Sequence, residues 1–385
     1  MPYSAREETQ PDAQVAAAGA ILVPYARFDA AQRCDAGRMK EMHTYSFFND
    51  YSEGAHPRIL DVLVRTNLDQ EDGYGNDTLC ARAAGLIRKA AGAPDADVHF
   101  VSGGTQANLI CLNSMLRSYD SVIAVESGHI YVHETGAIEA TGHKVHALPT
   151  KDGTIMPEQV QALVDAHTDE HMVHPRALFI SNSTEVGTIY RKADLEALSA
   201  VCRRNGLYLY LDGARLGSAL TSRESDVTLA DLARLVDMFY IGGTKNGALL
   251  GEAIVIVRPE LKENFRFHMK QRGALLAKGR LIGAQFAAFF EDDLYFDLAR
   301  RANAMAERLA RGVAALGFGF LTQSPTNQIF PIFPDPLIAE LRKSYGFHVW
   351  SRTDAAHSAI RLVTSWATKE ENVDGFLTTL SALTK

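Results

Sequence analysis

The sequence is poor in cysteine and contains no long apolar run. Its four cysteines form no C-x-x-C pair and lie at positions 34, 80, 111 and 202. This pattern is typical of a reducing compartment, where thiols are buried as small hydrophobic side chains, and it disfavours a disulfide scaffold. No apolar stretch reaches the ~18 residues of a membrane-spanning helix. The apolar stretch 15–23 follows Glu7, Glu8 and Asp12 instead of the positive start of a secretory signal. We therefore expect a cytoplasmic protein without a membrane anchor.

Positive charge is also scarce. Lysine and arginine number 39 against 46 aspartates and glutamates, which gives a net charge of −7, and no long basic run occurs. Nucleic acids and anionic membranes are therefore disfavoured as partners. A chain of 385 residues exceeds what a single core usually organises. We predict an N-terminal arm (1–42), a large domain (43–258) and a smaller domain (259–385).

Apolar runs that indicate strands alternate with helical patterns between residues 97 and 257. The predicted strands are 98–101, 121–125, 145–148, 177–180, 207–211, 238–241 and 253–257. This alternation predicts an α/β fold with a mostly parallel seven-stranded sheet and helices on both faces. Beyond residue 258 we predict a smaller α+β domain. Its elements are long helices at 281–290 and 296–316, short strands at 318–322, 328–333 and 358–363, and a final helix from 370.

Two short segments carry the strongest chemical signal. Lys245 lies in the string Gly-Gly-Thr-Lys-Asn-Gly, and Asp212 closes the apolar run 207–211. A lysine amine can hold the aldehyde of pyridoxal 5′-phosphate (PLP) covalently, and a carboxylate can keep the pyridine nitrogen protonated, so that the ring accepts electrons. The carboxyl end of a central strand is also where α/β folds bind ligands. Alone, Lys245 could be a surface lysine and Asp212 a helix cap, but together they indicate a PLP site.

A glycine-rich turn upstream adds a third element. Gly103, Gly104 and Thr105 follow a predicted strand and open a helical stretch. Such a turn presents free backbone N–H groups and the positive end of a helix dipole, which suits a phosphate. The turn matches neither the dinucleotide-binding glycine pattern nor the Walker pattern, so nicotinamide and nucleotide-hydrolysing enzymes are disfavoured.

With these elements in order, the chain resembles the threonine aldolases of the β-eliminating lyase group, which are PLP enzymes of fold type I. The resemblance covers roughly residues 43–385. Its matching strings are Asn-Asp-Tyr-Ser (49–52), Gly-Tyr-Gly-Asn-Asp (73–77), Gly-Gly-Thr-Gln-Ala-Asn (103–108), the segment around His129, Thr-Glu-Val-Gly (184–187), Leu-Asp-Gly-Ala-Arg (211–215), Gly-Gly-Thr-Lys (242–245) and Ile-Arg-Leu-Val (360–363). The string at 242–247 is most similar to the bacterial low-specificity and phenylserine aldolase branch.

Two arginines are candidates for carboxylate binding. Arg215 lies three residues after Asp212, where the resemblance implies contact with the cofactor or with the substrate carboxylate. Arg361 interrupts an apolar strand, and a charge there needs a partner if it is buried. The resemblance implies that Arg361 binds the α-carboxylate of the substrate. The alternatives are a surface ion pair for Arg215 and a solvent-facing edge position for Arg361.

The resemblance also implies roles for a histidine and a glutamate. His129 would stack on the PLP ring and touch the substrate hydroxyl, while Thr244 would contact the cofactor beside Lys245. Glu185 stands where the commoner threonine aldolase pattern has a histidine, so either His129 or Glu185 is the candidate base for the hydroxyl proton. His133, one helical turn after His129, could form a metal pair with it, but no further ligand completes a zinc set, and we predict no metal.

Three further residues extend the expected site. Asn49 stands where many relatives have a serine near the substrate carboxylate. The resemblance implies that Lys278 reaches the phosphate in a neighbouring subunit and that Tyr74 is donated across the same interface. A surface lysine and a turn tyrosine are the plain alternatives. The implied assembly is a homodimer or homotetramer with shared sites.

The expected function is therefore PLP-dependent cleavage of a β-hydroxy-α-amino acid, L-threonine or L-allo-threonine, to glycine and an aldehyde. A β-eliminating lyase or an aminotransferase on the same fold is the nearest alternative, because both need the same cofactor assembly. A non-catalytic PLP-fold protein would be expected to lack the lysine or the aspartate, and both are present.

Overall fold

The computed structural model describes residues 44–385, so the predicted arm of residues 1–42 lies outside the described part. The helices are α1 (Pro57–Arg65), α2 (Thr78–Ala90), α3 (Gly104–Met115), α4 (His129–Val132), α5 (Pro157–Asp165), α6 (Lys192–Arg204), α7 (Leu216–Leu220), α8 (Leu229–Leu235), α9 (Phe265–Gln271), α10 (Arg280–Glu291), α11 (Leu294–Ala315), α12 (Asp335–Leu341) and α13 (Glu370–Leu383). The strands are β1 (Tyr45–Ser46), β2 (Asp97–Val101), β3 (Asp120–Val125), β4 (Lys144–Leu148), β5 (His174–Ser181), β6 (Tyr208–Asp212), β7 (Met238–Gly242), β8 (Glu252–Ile256), β9 (Gln328–Ile329), β10 (Ile332–Pro334), β11 (Tyr345–Gly346), β12 (His348–Arg352) and β13 (His357–Val363). Thr244–Asn246 forms a short 3₁₀ turn.

Seven strands form the large sheet, in the order β2-β8-β7-β6-β5-β3-β4. All neighbouring pairs from β7 to β4 are parallel, and only β8 runs against its two neighbours. The prediction of a mostly parallel seven-stranded sheet is confirmed. Because β8 is antiparallel to both β2 and β7, those two strands run in the same direction as the rest. The carboxyl ends of six strands therefore meet at one edge.

The two faces of the sheet bury different side chains, as the period of two along a strand requires. On β6, Leu209 and Leu211 join one buried cluster, which includes side chains of α6, α8 and α10. Tyr210 joins the other, which includes side chains of α3 and α9. Asp212 is two residues after Tyr210 and therefore points to the face that α3 covers.

The C-terminal part has its own small sheet, in which β13 pairs with β9, β10 and β12. The prediction of a strand at 318–322 is wrong. Only a single bridge between Phe320 and Pro331 occurs there, and glycines at 317 and 319 flank its start. The run 328–333 is divided into β9 and β10. β1 pairs with β11, so the first described residues contact the C-terminal part. The domain boundary at 258 stays a prediction.

Residues 44–385 contain neither a membrane-spanning helix nor a grouped set of metal ligands. No helix among them is long and apolar enough to cross a membrane. No three histidine, cysteine, aspartate or glutamate side chains in this range are grouped so that they could hold a metal ion.

Candidate functional site

A cavity of about 330 Å³ opens at the carboxyl edge of the large sheet. The strand ends of β2, β3, β5, β6 and β7 each deliver a segment to it. Nine residues that the sequence predicted for the site line this cavity: Gly103, Gly104, Thr105, His129, Glu185, Asp212, Arg215, Thr244 and Lys245. They are distant in sequence, and the parallel arrangement of the strands brings them together at the ligand-binding edge that open α/β sheets use.

The glycine-rich turn lies at the amino end of α3. Gly103 is the N-cap in an extended conformation, and no side chain caps the free N–H groups of the first turn. A Cβ atom on Gly104 would lie 2.9 Å from the hydroxyl of Tyr240, so the backbone approaches the neighbouring strand closely. The exposed Thr105 adds a hydroxyl at the same place. Free N–H groups at a helix start form an anion-binding site.

Asp212 is buried, with three donors fixing its carboxylate. Its Oδ1 accepts hydrogen bonds from the Tyr240 hydroxyl at 2.5 Å and from the Ala214 N–H at 2.9 Å. Its Oδ2 accepts one from the Asn108 side-chain amide at 2.9 Å. The carboxylate is thus held in one orientation where it lines the cavity. A buried and oriented carboxylate is what a protonated pyridine nitrogen needs as a partner.

Lys245 belongs to the 3₁₀ turn that follows β7. Gly247, at φ 99°, ends this turn in the left-handed region that favours glycine. Desolvation and then the positive charge of Arg215 lower the pKa of the lysine amine from its ordinary value. A lowered pKa increases the fraction of neutral amine, which is the nucleophilic form.

Arg215 forms a two-point ion pair with Asp50, a residue that the sequence analysis did not single out. Nε of the arginine lies 2.7 Å from Oδ2 of Asp50, and Nη2 lies 3.1 Å from Oδ1. The side chains are 13% and 1% exposed. Burial opposes ionisation of Asp50, but Arg215 and Lys245 outweigh it and lower the pKa of the carboxyl. The pair fixes the guanidinium at the cavity wall.

A hydrogen-bonded chain joins Asp212 to His129 through two residues that sequence reasoning missed. The Asn108 amide nitrogen donates to Asp212 and, at 2.7 Å, to Oε1 of Glu134. The same Glu134 oxygen lies 2.7 Å from Nδ1 of His129. The Glu134 side chain has no exposed surface. Glu134 therefore fixes the Nδ1 side of the His129 ring.

Glu185 lies next to His129. Its Oε1 accepts hydrogen bonds from the Ser181 hydroxyl at 2.8 Å and from the His129 backbone N–H at 3.1 Å. Its Oε2 is buried and has no partner among the described residues. Burial raises the pKa of this carboxyl from its ordinary value. An unpaired oxygen with a raised pKa can accept a proton from a bound group.

Arg361 and Asn49 lie outside the cavity lining. The Arg361 guanidinium lies 5.2 Å from the centre of the Trp350 ring, and its Nε has no partner in the part described. Burial and then Arg215 lower the pKa of Arg361 to about 10, so the two arginines are electrostatically coupled. Asn49 accepts hydrogen bonds within its own turn, from the Tyr51 N–H and the Ser52 hydroxyl. Its substrate role stays a prediction.

Tyr74 and Lys278 lie together but away from the cavity of their own chain. The Tyr74 N–H donates to the carbonyl of Ala277 at 3.3 Å, which joins the two turns. Both side chains are exposed, and Lys270 lies 4.6 Å from the centre of the Tyr74 ring. Their predicted roles in a neighbouring subunit stay predictions.

The donor set of the cavity fits PLP. It combines a helix start for a phosphate, a buried carboxylate for a ring nitrogen and a lysine of lowered pKa for an aldehyde. His129 is 35% exposed at its side chain and lines the same cavity, where a ring can stack on it. These groups are the contacts that PLP enzymes supply to the cofactor.

Comparison with known proteins agrees with this geometry. The model of the β-eliminating lyase family matches residues 54–334. The low-specificity L-threonine aldolase of Pseudomonas aeruginosa is 33% identical over 86% of this chain and 95% of its own. A solved structure of Leishmania major threonine aldolase is 50% identical, with a TM-score of 0.88 over 89% of this chain and all of that one. An aspartate aminotransferase of Thermus thermophilus, at 18% identity and a TM-score of 0.67 over 89% of this chain and 92% of its own, shares the fold. The chain belongs to the β-eliminating lyase family, as a PLP-dependent lyase of fold type I.

Proposed function

We propose that the protein cleaves β-hydroxy-α-amino acids, with L-threonine or L-allo-threonine as the preferred substrates, to glycine and an aldehyde. The single observation that carries the proposal is that Lys245, Asp212 and the start of α3 line one cavity. Threonine aldolases are among the relatives of the chain. PLP supplies an electron sink for the electrons of the broken Cα–Cβ bond.

Different residues of the cavity and its surroundings would bind the cofactor and the substrate carboxylate. The N–H groups at the start of α3, with Thr105, would hold the phosphate. Asp212 would hold the ring nitrogen, and Lys245 would hold the aldehyde until the substrate amine replaces it. Arg361 has a buried Nε without a partner, and this free donor supports a role in binding the α-carboxylate. Arg215, already paired with Asp50, would confine that carboxylate from the other side.

Proton transfer from the β-hydroxyl falls to Glu185 in this proposal. Its Oε2 has no partner among residues 44–385, and burial raises the pKa of the carboxyl above its ordinary value, which favours uptake of a proton. His129, held by Glu134, would orient the ring and the hydroxyl group. Once the hydroxyl proton leaves, the Cα–Cβ bond breaks, the aldehyde departs, and Cα gains a proton to give glycine.

We also propose a cytoplasmic homodimer or homotetramer with shared sites and with Lys278 and Tyr74 in the neighbouring cavity. Both side chains are exposed and lie apart from their own cavity. On α1, Leu60 and Val64 are one helical turn apart and 44% and 75% exposed. Phe267 on α9 is 75% exposed. Contiguous exposed apolar side chains, such as the Leu60 and Val64 pair, support a surface that another protein covers.

A product assay tests the reaction. The purified protein would be incubated separately with L-threonine and L-allo-threonine, and acetaldehyde, glycine, ammonia and 2-oxo acids would be measured. Equal amounts of acetaldehyde and glycine are expected, and Lys245→Ala should abolish both. Ammonia with a 2-oxo acid in place of acetaldehyde would establish β-elimination instead. Amino transfer to an added 2-oxo acid, without acetaldehyde, would establish an aminotransferase.

A further inference from the structure

Glu252 lies beside Lys245, and neither the sequence analysis nor the proposed reaction uses it. It is the first residue of β8, the one strand of the large sheet that runs against its neighbours, and it is 4% exposed. Its register partners are Val101 at the end of β2 and Gly242 at the end of β7. Glu252 therefore lies between the glycine-rich turn and the lysine turn, and its side chain lines the cavity.

Both carboxylate oxygens of Glu252 bind the turn that carries the lysine. Oε2 accepts a hydrogen bond from the Gly243 N–H at 2.9 Å, and Oε1 accepts one from the Thr244 hydroxyl at 2.9 Å. The Thr244 hydroxyl in turn accepts a bond from the Gly251 N–H at 3.0 Å. The only hydroxyl proton of Thr244 therefore forms the hydrogen bond to Glu252. The two residues before Lys245 are clamped to the start of β8.

The charge of Glu252 also acts on the lysine. The titratable groups that face it are Lys245, Asp212, Tyr240 and Tyr295. Burial raises the pKa of Glu252 to about 7, against the opposing effects of its hydrogen bonds and of Lys245. Among the facing groups Lys245 is the only cation. A negative charge on Glu252 therefore favours the protonated state of the lysine nitrogen, in the same direction as Asp50 and Asp212 and against Arg215.

We propose that Glu252 is a positioning residue for Lys245: its two hydrogen bonds fix the turn that carries the lysine, and its negative charge tunes the protonation of the lysine nitrogen. Asp212 acts at the far end of the cofactor, whereas Glu252 acts at the lysine end. The inference rests on the proposed attachment of PLP to Lys245. If that assignment fails, Lys245→Ala keeps the visible absorption of the bound cofactor, whatever Glu252 does.

Two substitutions separate the clamp from the charge. Glu252→Gln keeps a hydrogen-bond acceptor but carries no charge, whereas Glu252→Ala removes both. The visible absorption of the lysine-bound cofactor would be titrated from pH 5 to pH 10, and PLP affinity would be measured by equilibrium dialysis. Glu260→Gln, an exposed glutamate beyond the end of β8, is the matched control.

The expected results differ for each variant. Glu252→Gln should lower the spectroscopic midpoint by about one pH unit, because an ionised neighbour of the lysine nitrogen is lost. Because it keeps only one of the two acceptor oxygens, it should weaken PLP binding no more than Thr244→Val does, whereas Glu252→Ala should lose at least about tenfold. Thr244→Val, which removes one bond of the clamp, should also weaken PLP binding, and Thr244→Ser should retain it. Glu260→Gln should match the wild type.

Two results would overturn the inference. If the Glu252→Gln titration superimposes on the wild-type curve, the charge of Glu252 does not affect the protonation of the lysine nitrogen. Undiminished PLP affinity in Glu252→Ala and Thr244→Val would show that the two hydrogen bonds of Glu252 do not position the lysine turn. If Glu252→Ala does not fold, undiminished PLP affinity in Thr244→Val still excludes the clamp, and the Glu252→Gln titration still decides the electrostatic role.

Discussion

Removing Asp50 should destabilise the fold strongly, because Asp50 joins two residues that are far from it in sequence, Arg215 and Asn327. Its carboxylate accepts two hydrogen bonds from Arg215 and one, at 2.9 Å, from the Asn327 amide. The N-terminal loop, the strand end of β6 and the C-terminal part therefore meet at one buried group. Asp50→Ala leaves the Arg215 guanidinium, 13% exposed at its side chain, without its anion.

The expected loss is about 3–5 kcal/mol, the usual cost of removing one partner of a buried ion pair. The added substitution Arg215→Met should recover much of that loss, because an apolar replacement of both partners leaves no unpaired buried charge. The surface pair of Asp61 and Arg65, 62% and 69% exposed, is the matched control. Asp61→Ala should cost no more than ~1 kcal/mol.

The pH dependence has a defined sign. The folded-state pKa of Asp50 lies below its ordinary value, so its stabilising contribution is present above the unfolded pKa of ~3.9. It is lost as the pH falls through the lower, folded value. Urea unfolding, followed by circular dichroism at pH 7 and at lower pH values, would measure this stabilising contribution. The difference in the free energy of unfolding between wild type and Asp50→Ala should be largest at pH 7 and should decrease in acid. A loss below ~1 kcal/mol at pH 7, equal to a surface pair, would refute the reasoning.

Two further predictions concern turnover. Glu185→Gln should lower aldol cleavage at least about tenfold, and by up to the ~10²–10⁴-fold that general acid–base groups contribute. It should leave glycine binding intact, because glycine has no β-hydroxyl. A normal rate with threonine would assign the proton to His129 or to water. Mixing equal amounts of Lys245→Ala and Lys278→Ala subunits should restore up to about a quarter of the wild-type activity, since a two-fold hybrid holds one intact site. No recovery despite subunit exchange would place Lys278 outside the neighbouring cavity.

The sequence predicted the parts of the site that follow directly from strand ends. Asp212 closes an apolar run, and Lys245 follows another within a glycine-rich string, so each has a local signature. A parallel sheet then brings such ends to one edge. For the same reason the seven large-sheet strands were predicted closely, whereas the C-terminal strands are short and the one at 318–322 is absent.

The missed residues have no such local signature. Glu134 lies five residues after His129. Its contact with Nδ1 of His129 arises because the chain turns back after the short helix α4. Asn108 is one helical turn beyond Gly104, on the side of α3 that faces the sheet. Glu252 meets the lysine turn because β8 inserts antiparallel between β2 and β7. These contacts depend on tertiary register, which periodicity does not fix.

The charge balance of the cavity supports a contribution from a neighbouring subunit. Three carboxyl groups, Glu185, Asp212 and Glu252, line the cavity, while Lys245 and Arg215 are its cationic residues among those described. Arg215 is already neutralised by Asp50. A phosphate ester adds about −1.5 to −2 charges, against roughly +0.5 from the start of α3. A cation near the phosphate would therefore improve this charge balance. Lys278 is exposed and does not line its own cavity, which supports the proposal that it acts in the cavity of another copy.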